Sequence, residues 1–265
     1  MANPIIGRPD AFAHGGAQQQ GHLQQGYGPD PYLQQQMPQP GGVMTLDDVI
    51  AKSAITLGTV FAAAIATWML LPMQFLYPAW IGSAIAGLVV VFVVARRPNI
   101  SAGGVLLYAL VEGVFVGAIS KFFQVLYPGI VVQAVLATFV TAAVTLAAYK
   151  FFNLRVTPKF RKMVTIGTIA FAGVMIVNFV VSLISGSNTA LREIGPQAGW
   201  ISIAVSLLAV ALAVMNLVVD FDSIEQGIAM RAPASESWRG ALGITVTLVW
   251  LYVEMLRILS YFRGD

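Results

Sequence analysis

The sequence predicts an all-α membrane protein, a polytopic bundle of seven transmembrane helices, and three observations carry that prediction. Of 265 residues, 57% are hydrophobic and only 10% are charged, where a soluble domain holds about a quarter charged. The apolar residues gather into seven runs, each long enough to cross about 30 Å of hydrocarbon at a helical rise of about 1.5 Å per residue. Lys and Arg fall in the short gaps between those runs. Despite a formal charge of +3, that placement speaks for membrane orientation and not for nucleic acid.

Residues 1–43 are a tail rich in Gln, Gly and Pro, including Gln18-Gln19-Gln20, Gln34-Gln35-Gln36 and Pro38-Gln39-Pro40. The tail has too little apolar surface to bury and is predicted to be a disordered cytoplasmic extension. It has no basic stretch leading into an apolar one, so it does not read as a signal peptide. Residues 44–265 form the membrane domain. Thr45-Leu46-Asp47-Asp48 opens it as a helix start, with Thr45 as N-cap and the acids at the positive end of the helix dipole.

Spans are predicted at 53–71, 79–95, 103–123, 130–150, 163–185, 199–222 and 241–262. Pro72, Pro98, Pro128-Gly129, Pro158, Gly186 and Pro196 punctuate the gaps. With the N-terminus inside, the inner segments carry Lys52, Arg96, Arg97, Lys150, Arg155, Lys159, Arg161, Lys162, Arg231 and Arg239. The outer ones carry Lys121, Arg192 and Arg263. The asymmetry predicts an N-in, C-out topology. The loop around Arg155, Pro158, Lys159, Arg161 and Lys162 is the most basic, and it serves either to rest on anionic headgroups or simply to set topology.

Several chemistries are excluded. There is no cysteine, so no thiolate nucleophile or Cys-based metal site. Both histidines, His14 and His22, lie in the tail, which leaves the membrane region without a His-ligated metal, a bis-histidine haem or a Ser-His triad. No Gly-x-Gly-Asp accompanies an intramembrane acid, against an aspartyl protease, and the seventh span has no lysine for a retinal Schiff base. The expectation is a non-enzymatic protein without a resident cofactor.

What remains inside the apolar runs is a short list: Glu112, Asp220, Asp222, Glu254 and Arg257, with Glu225 at the border. Ionisable groups at such depth cost several kcal/mol and are kept where they function or find a partner. Glu112 is followed by Gly113 and Gly117, which share a helix face and permit close helix approach. A packing lock and an ion path are both open readings for it. Asp220 and Asp222 diverge by about 200° on a helix, so they face different neighbours. Glu254 and Arg257 are spaced to pair within the seventh helix, although Arg257 also lies near enough to the end to snorkel outward. Thr245, Thr247, Tyr252 and Ser260 make that helix polar for a span, as suits one surrounded by other helices.

The mechanism expected from these residues is a shared proton. Two carboxylates from the last two helices, Asp222 (or Asp220) and Glu254, cannot both ionise cheaply if brought together. Protonated, they would pin the helices. Deprotonated, they would repel and offer oxygen ligands to a hard cation such as Ca²⁺. Helical rise places Asp222 near the inner surface and Glu254 nearer the middle, so direct contact requires tilt or a watery vestibule.

The segments Glu112-Gly-Val-Phe-Val-Gly117-Ala-Ile-Ser120, Asp220-Phe-Asp222-Ser-Ile and Leu251-Tyr-Val-Glu254-Met-Leu-Arg-Ile-Leu resemble the Bax inhibitor-like membrane proteins, over residues 45–265. The resemblance implies a seven-helix bundle with the last helix central, a pH-sensitive Ca²⁺ leak, and roles in stress or cell-death regulation. It also implies, for a bacterial member in the plasma membrane, association with a membrane protease or other membrane proteins, which leaves a non-transporting regulator as the alternative. By position Asp222 matches the first residue of the family's Asp-Thr-Gln motif and Glu254 its seventh-helix acid. Ser223-Ile224 stand where the family has Thr-Gln, and Glu254 where it has Asp.

Overall fold

The computed structural model describes residues 42–152, 156–186 and 191–263. Almost all of the tail, Arg155 and the last two residues lie outside them. Among the described residues are seven long α-helices and no strand: α1 (Leu46–Leu70), α2 (Leu76–Ala95), α3 (Ala102–Leu126), α4 (Ile130–Phe151), α5 (Pro158–Ser185), α6 (Trp200–Ala229) and α7 (Glu236–Tyr261). All seven are long and apolar enough to span a membrane. The all-α, seven-helix expectation holds, span by span.

Helix starts follow their capping residues. Thr45 accepts from the Asp48 amide, Ser101 from Gly104 and Thr157 from Phe160, each satisfying an otherwise orphaned N–H. Three of the boundaries that differ from the sequence reading bear on the buried charges. Helix α5 begins at Pro158, because Thr157 caps it and proline suits the first turn. The most basic loop is therefore largely helical, and Arg161 sits on the first turn of α5. Helix α6 continues to Ala229, so Asp222 is internal to it and does not mark its end. Helix α7 starts at Glu236, earlier than hydropathy alone suggests, since its first turn is polar.

The helices alternate in direction. One face of the bundle gathers the start of α1, the α2–α3 link, the end of α4 and the α6–α7 turn. There Met44 donates to the Ala232 carbonyl, Lys52 to Ala234, and Arg239 to the carbonyls of Ala95, Arg97 and Pro98. This is the face that carries most of the Lys and Arg, called here the basic face. On the opposite face Lys121 donates to the carbonyls of Trp68 and Leu71, and Arg263 to that of Pro128.

Packing is tightest between α1 and α3. A Cβ on Gly113 would lie 2.5 Å from Ala63 Cβ, and one on Gly117 would lie 2.5 Å from the Ala64 carbonyl oxygen. Glycine is required at both, as their spacing on one face predicted. Helix α7 packs against α1, α3, α4 and α6, and half of its most apolar window is buried, the largest share of the seven. Four of its polar side chains bond internally: Thr245 to the Ala241 carbonyl, Thr247 to Asp220, Tyr252 to Ser120, and Ser260 to the Arg257 carbonyl. Helix α5 is the opposite case. Of its 28 residues only Val164 is buried, and it packs mainly on α6.

Candidate functional site

Asp222 is buried at 9% exposure, two turns before the end of α6. Its Oδ2 accepts hydrogen bonds from Arg161 of α5 and, at 2.7 Å, from Gln226 one turn along its own helix. Arg161 also reaches the Ser223 hydroxyl at 3.3 Å. Next to this group the Tyr149 hydroxyl of α4 donates to Glu225 at 2.6 Å. The polar end of α6 is thereby tied to the end of α4 and the start of α5.

Glu254 is more deeply buried, at 1% exposure. A carboxylate there needs a cation and several hydrogen bonds to offset its desolvation. Arg192, in the connection between α5 and α6, provides both: Nη2 donates to Oε1 at 2.8 Å and Nη1 to Oε2 at 3.2 Å. The two-pronged geometry is the strong form of the Arg–carboxylate pair. Arg257 donates to the Arg192 carbonyl at 3.0 Å, which holds the peptide that presents the guanidinium. The same connection is fixed further on, where the Gly195 amide donates to Ser260 at 3.1 Å, and the first turn of α6 is held where the Tyr261 hydroxyl donates to the Ser202 carbonyl at 3.3 Å.

Among the described residues no cation lies against the other two of these four acids, Asp220 and Glu112. Asp220 accepts from Thr247 Oγ1 of α7 at 2.7 Å, and its Oδ1 lies over Gly243, where a Cβ would approach to 3.2 Å. Glu112 lies between α3 and α2, with Oε2 2.9 Å from where a Cβ of Gly87 would stand and Tyr108 beside it one turn back. Tyr108 packs with Leu242 of α7. Asp220 thus contacts α7 directly, at Gly243 and Thr247, whereas Glu112 reaches toward α2.

This arrangement does not bring the expected pair of acids together. From Asp222 to the end of α6 at Ala229 is about 10 Å along the axis, whereas Glu254 is about 27 Å from the start of α7 at Glu236, on the same face. The two carboxylates are offset by about 17 Å along the bundle, and each is paired with its own arginine. Thr247, the partner of Asp220, is itself about 10 Å short of Glu254, so Asp220 does not complete the pair either. Nor does Glu254 pair with Arg257 within α7. A guanidinium offsets buried charge where a second carboxylate would add to it, so each acid has taken an arginine from outside its own helix.

Residues 3–264 match the family described as Bax inhibitor 1 like. The chain belongs to that family. Comparison with curated proteins gave no match. The family match takes in nearly the whole chain, including most of the tail that the resemblance over residues 45–265 had left out. It fits a bundle of seven membrane-spanning helices, and a bilayer is the environment those helices imply.

Arg161 and Arg192 are the site residues that sequence reasoning passed over, because both were counted as loop charges. Arg192 did carry a signal. It is one of three cations on a face otherwise poor in them, and a charge against the orientation rule calls for a specific partner. Arg161 had no such signal, being one of a basic cluster. Its role depends on α5 starting at Pro158, which turns it toward α6.

Proposed function

We propose that this Bax inhibitor-like protein is a pH-gated cation leak, with Ca²⁺ the ion its hard carboxylate oxygens suit best, and that α5 is the gate. The observation that carries this reading is the pair of ionic clasps at the two ends of α5. Arg161 on its first turn is bound to Asp222, and Arg192, seven residues past its end in the connection to α6, is bound to Glu254. Between the clasps α5 is loosely held and lies across the seam of α6 and α7. Thr168 accepts from Asn216 at 2.7 Å, and Phe171 stacks on Trp250 at 5.7 Å. Asp220 sits in that seam, one turn from Asn216.

Ionised, the two acids hold α5 closed. Protonated, each loses its attraction for arginine, and α5 is free to move off the seam. Asp220 and Glu112, against which no cation lies among the described residues, then offer their oxygens to a passing cation while they remain ionised. The gate works through carboxylate–arginine pairs in place of a carboxylate–carboxylate pair, so acidification opens it. The reading is of a transport protein and not of an enzyme, and the basic face is taken as the inner one.

The test is Ca²⁺ and H⁺ flux into vesicles reconstituted with the protein. Glu254→Gln is expected to raise the flux at neutral pH and flatten its pH dependence, and Asp220→Asn to lower it at every pH. A bilayer that stays tight and indifferent to pH, or Glu254→Gln behaving as the unaltered protein, would sink this reading and favour a regulator that acts by binding other membrane proteins.

A further inference from the structure

A cavity of about 460 Å³ opens on the side of the bundle between α1 and α4. Those two helices scarcely pack on each other, and Phe61 stacking on Phe139 at 6.2 Å bridges the gap. Helices α3 and α7 form its floor. The volume lies within the roughly 300–1,000 Å³ typical of sites that enclose a small molecule. The lining is almost wholly apolar, and at the rim Ile65 and Val132 are more than half exposed. In a membrane-spanning bundle that opening faces hydrocarbon and not water, so what can enter is a chain from the bilayer.

The two hydroxyls on the floor satisfy each other, and Gln124 adds one amide to the lining. Ser120 uses its single proton on the Val116 carbonyl, so the 2.6 Å bond between Ser120 and Tyr252 has the tyrosine as donor. Both hydroxyls are thereby engaged with each other, and neither demands a polar guest. A cation, by contrast, stands where a headgroup would lie. Lys121 follows Ser120 in α3, near the opposite face, and donates to the carbonyls of Trp68 and Leu71; Trp68 itself lines the cavity. An ammonium has three donors, and two are used. The third is left for an acceptor at headgroup depth, on a face with few other cations.

We infer that this cavity is a phospholipid site, taking one acyl chain between α1 and α4 while Lys121 holds the phosphate. The combination of an apolar slot open to the hydrocarbon and a cation at its upper end fits a phospholipid better than a free fatty chain or a soluble ligand. The inference stands apart from the gating scheme, since none of the clasp residues lines the cavity.

The probe is a phosphatidylglycerol carrying a photoactivatable diazirine near the end of one acyl chain, mixed into phosphatidylcholine vesicles containing the full-length protein. Adducts mapped by peptide mass spectrometry are expected to concentrate on cavity residues such as Ala64, Val135 and Thr138, several-fold above the lipid-facing side of α5. Val135→Trp, which fills the slot, should remove that excess, and Lys121→Gln should remove the preference for the anionic label over a phosphatidylcholine one. Adducts spread evenly over α2, α4 and α5 in the unaltered protein would mean annular lipid only and would overturn the proposal, whether or not Val135→Trp folds. So would enrichment that is the same with and without Lys121 for both headgroups, which would reduce the site to a greasy crevice.

Discussion

Arg192 and Glu254 join the connection after α5 to the interior of α7 through two parallel hydrogen bonds of 2.8 and 3.2 Å, with the carboxylate only 1% exposed. A pair this deep contributes little against an apolar substitute, but breaking it from one side is severe, because the remaining charge is stranded. Arg192→Gln is expected to cost about 3–5 kcal/mol. The double variant Arg192→Gln, Glu254→Gln should cost clearly less than the sum of the two single ones. Denaturation in detergent, read as a double-mutant cycle, measures this; additive losses would mean that the two groups are not coupled.

A second prediction concerns the seating of α5. The protein has no cysteine, so an introduced pair reports without background. Thr168 and Asn216 touch at 2.7 Å across α5 and α6, and Thr168→Cys with Asn216→Cys should cross-link readily under mild oxidation at neutral pH. Adding Arg161→Gln and Glu254→Gln, which opens both clasps, should slow the cross-link substantially. Cross-linking at an unchanged rate would mean that packing alone holds α5 in place.

The seven spans were legible because each is a run of apolar residues ended by Pro, Gly or charge, and those signals are local. Thr45 as a cap and Gly113 with Gly117 as a close-approach face were legible for the same reason. The list of buried acids could also be read, since a carboxylate in an apolar run stands out against its neighbours. Their partners could not. Arg161 is 61 residues from Asp222 and Arg192 is 62 from Glu254, and nothing in either local pattern encodes a contact across that distance. Expecting acid to meet acid came from considering only charges inside the spans. The structure brings its counter-ions from the spans' margins.

Glycine substitutions test the α1–α3 contact with opposite signs at different positions. Gly113→Ala places a methyl group 2.5 Å from Ala63 Cβ and 2.7 Å from the Val60 carbonyl, where neither backbone can yield. Overpacking of this kind costs about 1–3 kcal/mol. Gly58, on α1, has nothing within 4 Å of the same added atom, so Gly58→Ala should gain about 0.5–1 kcal/mol from helix propensity. Thermal melts of the two variants in one detergent should move in opposite directions.

Glu112 is the acid whose role the packing and permeation readings divide most sharply, and its environment makes the division measurable. Its Oε2 lies 2.9 Å from where a Gly87 Cβ would be, so Gly87→Ala must displace something. What lies there is the far end of a flexible side chain, so the carboxylate moves while α2 and α3 keep their places. Gly87→Ala is therefore expected to leave stability within about 1 kcal/mol of the parent, the gain in helix propensity offsetting the small rearrangement. Glu112→Gln, nearly the same shape without the charge, should also leave the melting temperature almost unchanged. If Glu112 is a cation station, both variants lower Ca²⁺ flux in vesicles, because one shifts the carboxylate and the other removes its charge. If it is a packing lock, both lower the melting temperature and leave the flux per folded protein intact. Measuring the two quantities on the same preparations decides between the readings, since each one predicts a loss where the other predicts none.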